Sequence, residues 1–264
     1  MKVQITTSDN FILDGVFKQV KGSPKGIIFA HGMTVDKDDE GIFVKAEPKL
    51  NKLGFSTLRF DFRAHGKSQG DSVKDFTISG ELKDLDAVFD YLESKGMEEI
   101  GLAGASVGGG ISALYAGIHP KRIKALFLAN PALDYEKCFL KPTTSWAKEH
   151  FQNIFKRLNK KGFIEIGSRK FRVGRRLFEE MKQYSPCEEL KKYLDPLLIV
   201  HGDKDSKVAY QDVVDCFNRL TSSQKNLATI RGSEHGFHEE PYESQVANMI
   251  VEFFKLLPIH LSQP

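Results

Sequence analysis

Ile100-Gly101-Leu102-Ala103-Gly104-Ala105-Ser106-Val107-Gly108, continued by Gly109-Gly110-Ile111-Ser112-Ala113-Leu114-Tyr115-Ala116-Gly117-Ile118-His119, is the stretch whose reading decides the fold. Ile100 to Ala103 is short and apolar and predicts a buried strand. Gly109 to His119 predicts a helix that stops before Pro120. Between them Gly104-Ala105-Ser106-Val107-Gly108 is a Gly-x-Ser-x-Gly motif, and a strand turning sharply into a helix is the setting in which such a serine is held strained and exposed. Gly104 and Gly108 fall where a side chain would collide with the neighbouring strand or helix. The helix N-terminus aims its unpaired N–H groups at the place where negative charge would develop.

Outward from this turn, strands alternate with helices. Phe11–Phe17 is expected to hairpin with the N-terminal strand through Ser8-Asp9-Asn10. Gly26–Ala30 is apolar on both faces, as a parallel sheet requires. A helix over Phe43–Leu53, a strand over Phe55–Asp61 and a helix over Glu81–Leu92 precede the serine turn. Strands at Ala125–Ala129, Leu197–Val200 and Asn226–Ile230 and a helix from Gln245 to Leu257, stopped at Pro258, follow it. The expectation is an α/β fold with a mostly parallel sheet covered by helices on both faces.

The alternation is suspended between Asn130-Pro131 and Asp195-Pro196. The domain reading is therefore a core of residues 1–130 and 195–264 with an insertion, 131–194, expected to act as a lid. Within it a helix is expected over Ser145–Leu158. A hairpin is expected with Gly167-Ser168 as its two-residue turn, and a short helix over Leu177–Tyr184. The insertion is basic (Lys156, Arg157, Lys160, Lys161, Arg169, Lys170, Arg172, Arg175, Arg176), which reads as a solvated surface in preference to a site for acidic substrates.

A serine hydroxyl needs a histidine to take its proton and a carboxylate to orient that histidine. The acid is sought in His201-Gly202-Asp203-Lys204-Asp205-Ser206-Lys207-Val208, which leaves the carboxyl end of a buried strand. Asp205, deeper in the loop, is preferred to Asp203. The base is sought in Gly232-Ser233-Glu234-His235-Gly236-Phe237-His238. His235, flanked by small residues, is preferred to His238, which reads as a surface group, as do His119, His150 and His260. The backbone N–H groups of Val107 and Met33, the latter in His31-Gly32-Met33-Thr34, would stabilise an oxyanion. His31 itself reads as structural. No Cys-pair or HExxH motif is present, so neither metal nor cofactor is implied.

With 264 residues, a net charge of +3 and 41% hydrophobic residues, the chain reads as a globular protein with an ample core. Nucleic acid is not an expected partner, and no stretch is long and apolar enough to span a bilayer. Cys138, Cys187 and Cys216 have no metal-like spacing. No disulfide framework is expected of them, and with no apolar leader after Met1 the expected location is cytoplasmic. The oligomeric state, monomer or homodimer, is open.

On these residues the chain resembles the α/β-hydrolase superfamily along nearly its whole length. His31-Gly32, the Gly104–Gly108 motif, the His201–Val208 loop and the late His235 fall in that superfamily's order. The loop Phe60-Asp61-Phe62-Arg63-Ala64-His65-Gly66-Lys67-Ser68-Gln69-Gly70 looks like that of its esterase and lipase branches. Within the superfamily it is similar to the small bacterial cinnamoyl and feruloyl esterases, which carry a lid of similar length with a hairpin. The resemblance implies a triad of Ser106, Asp205 and His235, an oxyanion hole of the Met33 and Val107 amides, and a small-molecule ester as substrate. Monoacylglycerol lipases, acyl-thioesterases, small peptidases, perhydrolases and C–C-cleaving enzymes share that triad. A ligand-binding protein on the same fold is the non-catalytic alternative.

Overall fold

The computed structural model describes residues 1–256, so the expected helix end at Leu257 and Pro258, and His260, lie outside the described residues. In chain order, β1 (Lys2–Thr6) and β2 (Ile12–Lys18) form a hairpin, followed by β3 (Lys25–Ala30), α1 (Gly41–Lys52), β4 (Ser56–Phe60), α2 (Ile78–Ser94), β5 (Glu99–Ala105), α3 (Ser106–Ile118) and β6 (Ala125–Ala129). The insertion then contributes a π-helical turn (Glu136–Leu140), α4 (Ser145–Phe151), α5 (Ile154–Lys161), β7 (Phe163–Ile166), β8 (Phe171–Gly174), α6 (Arg175–Glu180) and α7 (Pro186–Leu190). The chain returns through β9 (Leu197–Gly202), α8 (Tyr210–Arg219), β10 (Lys225–Ile230) and α9 (Tyr242–Lys255).

The eight-stranded sheet runs β1-β2-β4-β3-β5-β6-β9-β10. Only β2 is antiparallel to its neighbours; every other pairing is parallel. Alternate residues of the central strands face opposite layers. Ile28, Leu102, Leu126, Leu128 and Ile199 pack with α2 and α3, while Ile27, Phe29, Ala103, Phe127 and Val200 pack with α1 and α9. These strands are buried on both faces, which is why they read as unbroken apolar runs. The parallel registers Ala30↔Gly104, Ala105↔Ala129 and Ile230↔Gly202 bring the strand ends that precede His31, Ser106, Asn130, Asp203 and Arg231 to one edge.

The insertion differs in detail from expectation. The helix expected over Ser145–Leu158 is two helices, broken at Asn153, whose φ of 54° is a left-handed conformation that asparagine tolerates better than most residues. The break lets Phe151 and Ile154 both enter the core. The hairpin turn takes four residues, 167–170, because the register pairs Ile166 with Phe171 and Ile164 with Val173. A two-residue turn would set Ile166 against Arg169 and lose those apolar cross-strand pairs. Phe139, Phe151, Ile164, Leu177 and Phe178 of the insertion belong to the same apolar cluster as α2 and α3. The crossover helix α8 is amphipathic, burying Val213 and Cys216, and the sequence reading places no helix there.

A further correction concerns the cysteines. Cys187 on α7 and Cys216 on α8 are joined in a disulfide, and Cys138 is free and buried. The spacing in sequence hides a pairing that two separate helices create, and the cysteine-based ground for the expected cytoplasmic location falls with it. Among the described residues no helix is long and apolar enough to cross a membrane.

Candidate active site

Ser106 is the first residue of α3 and has φ of 53°, in the left-handed region where a side chain is strained. The turn closes so tightly that a methyl group on Gly108 would run into the carbonyl oxygen of His31, and one on Gly104 into the Ser112 hydroxyl. Both glycines are therefore required by close approach of backbone, as the motif predicts. Ser106 and Val107 open the helix, so their N–H groups have no carbonyl four residues back within it. The loop after β3 lies against the serine: a methyl group on Gly32 would stand 3.1 Å from Ser106 Cβ. Met33, next along that loop, lines the same cavity as Ser106.

The predicted side chains meet. His235 Nε2 lies 2.9 Å from Ser106 Oγ, and His235 Nδ1 lies 2.7 Å from Asp205 Oδ2. The other oxygen of Asp205 accepts the backbone N–H groups of Lys207 (2.9 Å) and Val208 (2.8 Å), so the carboxylate is fixed in orientation by its own loop. His201 Nε2 approaches Asp205 Oδ2 at 3.2 Å and the Val208 carbonyl at 3.1 Å, which places its proton on Nε2. Burial would raise the Asp205 pKa. The charge of His235 and the hydrogen bonds from His201 and His235 outweigh burial and hold the carboxyl well below the usual carboxylate range.

Asp203 stands apart from this chain. Its side chain accepts the Gly232 N–H at 2.6 Å, pinning the loop that carries His235. His238 lines the pocket with one edge in solvent and touches neither Ser106 nor Asp205. Partial desolvation of its ring, then the charges of Lys207 and His235, lower its pKa. His31 is structural, as expected: its Nδ1 donates to the Gly32 carbonyl at 2.8 Å and its Nε2 accepts the Phe62 N–H at 3.0 Å. Burial pushes its pKa down to about 4, so the ring is neutral.

The cavity beside Ser106 has a volume of about 310 Å³. Phe139, Trp146 and Phe151 from the insertion give it an apolar wall, and Ile166, Gly167 and Ser168 of the hairpin close one side. Glu40 and Lys207 supply its charged side chains besides the histidines. Sequence reasoning misses both. Glu40 draws no reading from the sequence; it precedes α1 without capping it, and its carboxylate accepts the Gly32 N–H at 3.1 Å. Its burial raises its pKa against the opposing pull of that hydrogen bond and of His235 and Lys207. His201, the second imidazole to meet Asp205, follows the strand pattern of β9 and carries no signal of that contact.

The chain is similar to several known proteins. A family match described as Hydrolase_4, serine aminopeptidase, S33, covers residues 22–184, more than half of the chain; it includes Ser106 and Met33 and ends before Asp205 and His235. The structure of Est1E from Butyrivibrio proteoclasticus with ferulic acid bound superposes with a TM-score of 0.79 at 25% identity, over 96% of this chain and 98% of that one. The palmitoyl-protein thioesterase ABHD10 of Mus musculus is 24% identical over 230 residues, 85% of this chain and 73% of that protein. Monoacylglycerol lipase abhd6-A of Xenopus laevis is 26% identical over 158 residues, 59% of this chain and 43% of that protein. The chain belongs to the Hydrolase_4 family and is an esterase-like α/β-hydrolase.

Proposed function

We propose that the protein is a serine carboxylester hydrolase acting on small acyl or aryl esters. The observation that carries this is the unbroken contact from Ser106 Oγ through His235 to Asp205. In this mechanism Ser106 Oγ attacks the ester carbonyl carbon as its proton passes to His235 Nε2. Asp205 holds the proton on His235 Nδ1 and stabilises the imidazolium that forms. The carbonyl oxygen, now negative, receives the N–H groups of Met33 and Val107. Collapse of the tetrahedral intermediate breaks the bond to the alcohol, which leaves with the proton from His235. Water, deprotonated by the same imidazole, then releases the acid and restores Ser106. Residues 131–194 serve as the lid, contributing the aromatic wall of the pocket.

A cavity of about 310 Å³ lies near the lower end of small-ligand sites and favours short acyl or aryl groups over long chains. Its aromatic wall suits an aryl ring, in keeping with the ferulic acid named for Est1E. The test is labelling with a fluorophosphonate, read by intact mass on wild type and on Ser106→Ala. One adduct on the wild type and none on the variant is expected. An unlabelled, folded wild type would overturn the proposal and turn attention to a binding protein on this fold.

A further inference from the structure

The pocket contains a lysine, and it does not come from the basic insertion. In that insertion Arg169 pairs with Asp39, Arg172 with Glu165, Arg175 with Glu179 and Arg176 with Glu180, and Arg157 donates to the His150 carbonyl. None of these five cations lines the cavity; Lys207 does.

Lys207 stands two residues after Asp205, and its backbone is fixed by the N–H it donates to that carboxylate. Its ammonium lies 5.3 Å from the centre of the Trp146 ring. Trp146 is itself held, stacked on His150 at 4.1 Å and edge-on to Phe151 at 5.8 Å. Among the described residues Lys207 forms no ion pair. Glu40, the carboxyl that shares the cavity, is committed to the Gly32 N–H. His238, which also lines the cavity, is held towards its neutral form by partial desolvation and by the charge of Lys207. A half-buried lysine that lines the cavity, with its ammonium over a held indole and no carboxylate within ion-pair distance, is an electrostatic site suited to an anion. One ammonium with no second cation beside it matches a single negative charge.

We infer that Lys207 is a specificity-determining residue that binds a carboxylate carried by the substrate, so that the enzyme selects monoanionic esters over neutral ones. This rests on the carboxylester hydrolase proposed above. The charge-assisted contact is expected to be worth about tenfold to hundredfold in kcat/KM. Two matched pairs of esters test it. The 4-nitrophenyl monoester of adipic acid and its methyl-capped counterpart place the charge on the acyl side. The 4-carboxyphenyl ester of pentanoic acid and its methyl-capped counterpart place it on the alcohol side. In the wild type, the charged member of one pair is expected to win by about tenfold or more, which also says which half of the substrate Lys207 faces. Lys207→Met, which keeps the stem on Trp146, is expected to abolish the preference, and Lys207→Arg to keep it. No preference in either pair, or a Lys207→Met effect equal on charged and capped esters, overturns the inference while leaving the hydrolase intact. Failure to cleave any of the four, with no labelling of Ser106, overturns the hydrolase and this inference together.

Discussion

Replacing Asp205 by Asn changes one atom, and the surroundings dictate where that atom goes. One carboxylate oxygen accepts two backbone N–H groups, from Lys207 and Val208. An amide NH2 cannot sit there, since donors would face donors. The new side-chain amide must therefore present its carbonyl to the loop and its NH2 to His235 and His201. His235 Nδ1 would then have to accept, which moves the imidazole proton to Nε2, the atom that faces Ser106. A ring in that tautomer cannot take the serine proton. Loss of the correct tautomer in a Ser-His-Asp triad costs about 10⁴-fold in kcat, or about 5 kcal/mol at 1.36 kcal/mol per tenfold. Asp203→Asn supplies the control. Its Oδ1 accepts a single N–H, from Gly232, which an amide carbonyl can also accept. The expected loss there is less than about threefold, the effect of weakening a charge-assisted bond to a neutral one. The assay is kcat/KM for a short 4-nitrophenyl ester, with circular dichroism to establish that each variant folds. A loss on Asp203→Asn that matches or exceeds that on Asp205→Asn would refute the assignment of the acid and the tautomer argument with it.

Two further outcomes concern stability. Burial lowers the pKa of His65 to about 3, far below its unfolded value of about 6.5. Between those values the unfolded chain binds a proton that the native one excludes, so stability falls as pH drops. His65→Phe removes that penalty, so its stability deficit against wild type at pH 7 should shrink by about 2–3 kcal/mol at pH 4.5 in urea unfolding; a constant deficit would show that the ring is not held neutral. The Cys187–Cys216 bond closes a loop with a sequence separation of 29. Chain entropy assigns it about 3–4 kcal/mol, so a reductant should lower Tm by several degrees, and a thiol titration of the unreduced, denatured protein should find only Cys138.

The parts of this molecule that are legible from sequence are those where backbone geometry restricts residue type. Gly108 has no room for a methyl group beside His31, and a serine at positive φ needs a strand before it and a helix after it, so the motif and its setting announce one another. The strand ends follow from apolar runs buried on both faces, and His235 and Asp205 follow from the loops that leave them. Asp205, expected ahead of Asp203 as the deeper residue of the loop, is the one that meets His235, and the N–H groups of Lys207 and Val208 wrap its other oxygen. The features that escape are made by contacts between segments distant in sequence. Cys187 and Cys216 meet because α7 and α8 pack together; neither spacing nor composition records it. The hairpin register is decided by Ile166 facing Phe171, and a glycine at 167 is compatible with a short turn or a long one. Charge shows the same division most clearly. The basic insertion stands out by its number of cations, yet the arginines that pair do so with its own Glu165, Glu179 and Glu180 and with Asp39 outside it. Lys207, inconspicuous in a loop dominated by its aspartates, is the lysine that lines the cavity. Composition reports how many charges a segment holds, whereas selectivity depends on which of them is left without a partner and faces the substrate.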